Sequence, residues 1–108
     1  MKKLIALALA CASLPLSAEP TSEEVKIVTV RPYLNEGGGP ADIFVHTDRP
    51  VLCNTNIFVI RGSWGGAKEA TTAAYAALLT GRSVKIEIHA SGCANPGWQT
   101  QVQSIYLL

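Results

Sequence analysis

The chain has 108 residues, 11.5 kDa and a formal net charge of +1, which bounds it to one domain with a modest core. Its nine basic residues are balanced by eight acidic ones and are scattered singly, which excludes the clustered cationic surface that nucleic acid binding needs. Three cysteines in so short a chain direct attention to the redox compartment.

Met1 to Ala18 has the three parts of a secretory signal: a basic start at Lys2 and Lys3, an apolar run from Leu4 to Ala12, and a small-residue end at Leu16-Ser17-Ala18. A membrane anchor would need about 20 unbroken apolar residues, and Ser13 and Pro15 interrupt this run. Cys11 as a lipid attachment site would call for a leucine three residues earlier, where Ala8 stands. The expected organisation is a signal peptide over 1–18 and a single domain over 19–108, periplasmic or secreted, with no membrane association after signal removal. Loss of Lys2 and Lys3 leaves seven basic residues against eight acidic ones, a net charge near −1.

After a polar leader, Val25 to Arg31 alternates and is rich in β-branched types, which predicts a strand ending near Pro32. Asn35-Glu36-Gly37-Gly38-Gly39-Pro40 reads as a flexible turn, and Asp42 to Thr47 as the antiparallel partner strand. Asp48-Arg49-Pro50 breaks that strand, and Val51-Leu52-Cys53 leads into a third, Asn56 to Arg61. The punctuated stretch Gly62-Ser63-Trp64-Gly65-Gly66 precedes a predicted helix over Gly66 to Thr80. Ala67, Ala70, Ala74, Ala77 and Leu78 form one face of that helix, and Gly81 supplies its C-terminal cap. Ser83 to Ala90 alternates, with Val84, Ile86 and Ile88 on one face, and Gln101 to Leu108 is the last strand. The order β-β-β-α-β-β is that of an OB-fold-like five-stranded antiparallel barrel, mainly β, with the helix plugging one end.

The mature chain keeps Cys53 and Cys93, which predicts one structural disulfide in an oxidising compartment; redox and zinc sites use more closely spaced cysteines. His46 and His89 each stand alone on a strand, no G-x-S-x-G pattern accompanies them, and a zinc site would need a third ligand. Asp42, Asp48, Glu69 and Glu87 are dispersed and read as solvated charges rather than an acid–base pair. The glycine runs lack the frame of a phosphate loop. No catalytic residue, metal or cofactor is therefore expected, and a small hydrolase built on His46 or His89 ranks third among the functional readings.

Trp64 and Trp98 lie in polar, Gly-rich loops, the latter in Asn95-Pro96-Gly97-Trp98. Rings so placed suit stacking on sugar faces, with Asn95 as a polar neighbour, and equally suit capping the end of a small barrel. Alanines on nearly every side of the helix permit the close approach of a second surface, so self-association stands beside plain intramolecular packing.

Between Cys53 and Ile88 the chain resembles the binding subunit of subtilase cytotoxin and related B subunits of AB5 toxins. Trp64-Gly65, Tyr75, Ala77-Leu78, Thr80-Gly81 and Val84-Lys85-Ile86 carry the resemblance. It implies an OB-fold, a ring of identical subunits with helices lining its centre, and a surface that recognises host glycans. Val25 to Asp48 does not match the family's motif for its sugar-contacting region, so no sugar-binding residue is carried over. The leading expectation is a secreted, non-enzymatic recognition module with a glycan ligand. The alternative is a periplasmic structural or inhibitor protein that binds another protein.

Overall fold

The computed structural model describes residues 19–108; the expected signal segment and Cys11 lie outside the described residues. Five strands and one helix follow in order: β1 (Val25–Tyr33), β2 (Asp42–Thr47), β3 (Ile57–Ile60), α1 (Ala67–Thr80), β4 (Ser83–Ile88) and β5 (Thr100–Leu107). A single 3-10 turn, Gly97–Gln99, precedes β5. The strands close into a barrel in the order β1-β2-β3-β5-β4, an OB-fold-like arrangement.

Four seams are antiparallel, as expected, and the fifth is not: β3 and β5 run parallel through Phe58↔Thr100 and Val59↔Gln101. The cause is topological. An odd-membered ring of strands cannot alternate in direction all the way round, so one seam must be parallel.

Closure depends on a bend in β1. Ile27 pairs with Thr47 and Thr29 with His46, which leaves Val28 as an extra, exposed residue. Such a bulge sharpens the local twist, and it lets β1 pair with β4 through Val25 and Lys26 before following β2 through Tyr33. β1 continues through Pro32 to Tyr33, one residue beyond the predicted end, in a stretch that β4 does not reach. A missing N–H is tolerated on such an open edge.

The alternating residues Val84, Ile86 and Ile88 of β4 all point inward and meet Val25, Ile27, Val45, Phe58 and Val102. Complete burial of Phe58, Ile86 and Ile88 contributes about 2 kcal/mol each relative to exposure. α1 lays its alanine face on this core: Ala74 and Ala77 are fully buried, with Ala67, Ala70 and Leu78 packed around them. The small side chains let the helix backbone sit close to the barrel, so the face built from Ala67, Ala70, Ala74, Ala77 and Leu78 packs within the chain itself. Lys68, Glu69, Thr72, Tyr75, Leu79 and Thr80 are the residues α1 turns outward.

Glycine sets the geometry at two points. Gly81 ends α1 in the left-handed region at φ 71°, donating to the Ala77 carbonyl at 2.9 Å. At Gly62 the chain leaves β3 so close to β2 that a Cβ would lie 1.9 Å from the Ala41 carbonyl oxygen. The Gly62 N–H donates to Asp42 Oδ1 at 3.0 Å.

Candidate functional site

β2 and β3 each contain a run of consecutive apolar residues, Ile43-Phe44-Val45 and Ile57-Phe58-Val59-Ile60, so they are apolar on both faces. Ile43, Val45, Phe58 and Ile60 fill the barrel. Phe44, Ile57 and Val59 therefore stand on its outer wall, yet Phe44 is only 9% exposed and Val59 only 1%. Side chains from β1 and from the loop between β4 and β5 gather around Phe44 and Ile57.

Strand register brings the first of these covers into place, since Arg31 pairs with Phe44 and Tyr33 with Asp42. The Tyr33 ring meets Phe44 edge-on with centroids 5.6 Å apart. The Arg31 guanidinium carbon lies 5.2 Å from the Phe44 centroid and 5.5 Å from that of Tyr33, a favourable placement of cation on ring faces. From the other side Trp98 approaches Phe44, with centroids 6.3 Å apart and planes inclined by 41°. Arg31, Tyr33, Phe44, Ile57 and Trp98 enclose an open groove of about 310 Å3. Trp98 is 52% exposed and Tyr33 57%, so both residues are partly open to solvent while Phe44 forms the floor.

A staple holds the Trp98 loop. Cys53, in the β2–β3 connection, is bonded to Cys93, with Cα atoms 5.3 Å apart. Gly97 packs on Thr55 in the same connection, and Thr100 Oγ1 donates to the Gly97 carbonyl at 2.8 Å. The expected disulfide is thus present, and it joins the two loops that flank one end of the groove.

The remaining sequence candidates are dispersed. Trp64 lies elsewhere, its ring 5.3 Å from His89, beside a shallow cleft of about 30 Å3 lined also by Gly65, Gly66 and Val102. Asn95 is half-buried in the Trp98 loop but does not line the groove. His89 Nδ1 accepts from the Ser91 N–H at 3.1 Å, a local turn contact. His46 is on the outer wall, paired with Thr29 and Ile57, and its Nε2 is buried with no hydrogen-bond partner among the described residues. Burial, and secondarily the nearby Arg31 charge, push its pKa below the usual histidine value.

Three carboxylates expected to be solvated have structural partners instead, and the first of them, Asp48, accepts from the Lys26 N–H at 3.1 Å and lies 3.6 Å from Arg49. Asp42 pairs with Arg61 at 3.1 Å, and Glu87 accepts from Ser104 Oγ at 2.7 Å. With its carbonyl oxygen turned toward Arg61, the Gln101 amide accepts from the same guanidinium at 3.3 Å. Among the described residues no group of three or more His, Cys, Asp or Glu could hold a metal ion, and no helix is long and apolar enough to cross a membrane.

Arg31, Tyr33, Phe44 and Ile57 were not singled out by the sequence reading. Their signal was the consecutive apolar run in β2 and β3, which in a barrel with one wet face marks an outer wall that something must cover. No protein-family model matches the chain, and no curated protein matches it significantly.

Proposed function

We propose that this chain is a secreted or periplasmic, non-enzymatic recognition module that binds a glycan in the groove between Tyr33 and Trp98. The observation that carries the reading is the pair of partly exposed rings flanking the apolar Phe44 floor, with Arg31 alongside. Flat ring faces suit the C–H faces of sugars, and a guanidinium offers up to five donors to hydroxyl and ring oxygens. A volume of about 310 Å3 is at the lower end of the range for small-ligand sites.

The position also supports a binding role. In OB-fold barrels the face of strands 2 and 3 and the loops 1-2 and 4-5 bind oligosaccharides and oligonucleotides, and the groove takes Phe44 and Ile57 from strands 2 and 3 and Trp98 from loop 4-5, with Arg31 and Tyr33 added from β1. Oligonucleotides fit less well, because among the described residues Arg31 is the lone cation lining the groove and phosphate backbones call for several. A glycan array probed with the mature protein and with Trp98→Ala tests the reading. Selective binding weakened at least about tenfold by the substitution supports it; no binding to any sugar, or binding unaffected by Trp98→Ala, overturns it.

A second reading, recognition of another protein, is favoured by a separate surface. Pro40, Ala41, Ile43, Ala67, Thr71 and Tyr75 are among the residues lining a shallow depression of about 330 Å3 between the β1–β2 loop and α1. One turn beyond Tyr75, Leu79 is 81% exposed. Pull-down from an envelope extract with wild-type protein and with Leu79→Glu distinguishes this surface from the groove.

A further inference from the structure

The loop that carries Trp98 has no backbone hydrogen-bond ladder to the rest of the molecule among the described residues. Its backbone hydrogen bonds are local: Gly92 donates to His89, Ala94 to Ser91, and Gln99 to Pro96. The ties to other elements are the contact of Trp98 with Phe44, the packing of the 3-10 turn on β3 and of Gly97 on Thr55, and the Cys53–Cys93 bond. At the far end of that bond, Cys53 and Asn54 both hold left-handed backbone, at φ 57° and 52°. Two consecutive residues with side chains persist in that region only where their surroundings hold them there.

The barrel, in contrast, is closed by its ladders and filled by a core in which neither cysteine is fully buried. Cys53 packs against the edge of that core, while Cys93 is exposed and open to a reagent from solvent.

We propose that the Cys53–Cys93 disulfide is a redox-controlled lock on the groove. Closed, it holds Trp98 opposite Phe44; opened by a dithiol reductant, it frees the loop and removes one wall of the groove while the barrel stays folded. A reductant thiolate attacks the sulfur of Cys93, and Cys53 departs as a thiolate that takes up a proton. The second reductant thiol then resolves the mixed disulfide and releases Cys93 as a thiol. The protein gains two electrons and two protons, and the reductant leaves as a disulfide.

The proposal rests on the reading of the groove as the binding site, but its test needs no ligand. In a Trp64→Phe background, where Trp98 is the remaining tryptophan, acrylamide quenching is measured on oxidised and dithiothreitol-reduced protein at low temperature. Amide exchange at Val45, Phe58 and Ile86 is followed in parallel. Reduction is expected to raise the Trp98 quenching constant by about twofold or more while the core amides keep their protection, as in local rather than global opening. Reoxidation should reverse the change, and Cys53→Ala/Cys93→Ala should match the reduced protein.

Unchanged quenching on reduction would overturn the proposal. So would loss of core protection together with the loop, or a double variant that folds at no temperature, since the bond would then belong to the whole fold. Each of these results leaves the glycan reading intact, and a blank glycan array leaves the lock intact.

Discussion

Phe44 and Trp98 approach each other across the outer wall of the barrel, centroids 6.3 Å apart, although 54 positions separate them in sequence. Phe44 is fixed by the β1–β2 and β2–β3 ladders, while Trp98 arrives on a loop held by the Cys53–Cys93 bond. The two residues therefore differ in what they contribute. Phe44 is part of the wall, and Trp98 is the half-exposed surface a ligand meets.

Trp98→Ala should cost less than about 1 kcal/mol of stability, as expected for a half-exposed loop side chain. Phe44→Ala should cost about 2–4 kcal/mol, because it empties a nearly buried site between Tyr33, Arg31 and Trp98. Denaturant unfolding of both variants separates a floor residue from a contact residue.

Gly62→Ala should destabilise by about 3 kcal/mol or more, since its Cβ would sit 1.9 Å from a backbone oxygen that cannot move without disturbing β2. Gly65→Ala, three residues on, meets nothing within 4 Å and needs no left-handed backbone, so it should stay within about 0.5 kcal/mol of wild type. Thermal unfolding of the pair tests whether the close approach of β3's exit to β2 is rigid.

Loss of the disulfide in Cys53→Ala/Cys93→Ala should lower stability by about 4 kcal/mol on the chain-entropy model for a loop of this length. For a domain of this size that corresponds to a fall in Tm of roughly 15 °C or more. Calorimetry on the oxidised protein and the variant gives the number directly.

His46 sets a pH dependence of known sign. Its folded-state pKa is lowered, first by burial and then by Arg31, so the unfolded chain binds the proton more readily. The stabilisation from neutral His46 is fully present above pH about 6.5, the unfolded value, and is lost as pH falls through the lower folded-state pKa. Guanidinium titrations from pH 8 to pH 4 should show a decline that His46→Gln removes. An unaltered decline in the variant would assign it to other groups.

The barrel was legible in the sequence because its signals are local. Alternation in Val84-Lys85-Ile86-Glu87-Ile88, the β-branched run at Val25, and the left-handed cap at Gly81 each act within a few residues. The alanine face of α1 could be read as periodic, but whether a barrel or a second copy covered it depended on distant strands. The groove was half legible: Trp98 was visible as an aromatic in a Gly-rich loop, whereas Tyr33, Phe44 and Arg31 became partners only through strand register. Trp64 carried the same local signal as Trp98, yet it lies tilted against His89 away from the groove, since loop composition does not specify where a loop lands.

The most direct test is chemical-shift mapping of the mature, oxidised protein titrated with the saccharides retained on a glycan array. The expected result is saturable perturbation of Tyr33, Phe44, Ile57 and the Trp98 indole, lost in Trp98→Ala. Perturbation confined to Trp64 and His89, or to Tyr75 and Leu79 on α1, would contradict binding in the groove, as would the absence of any saturable shift.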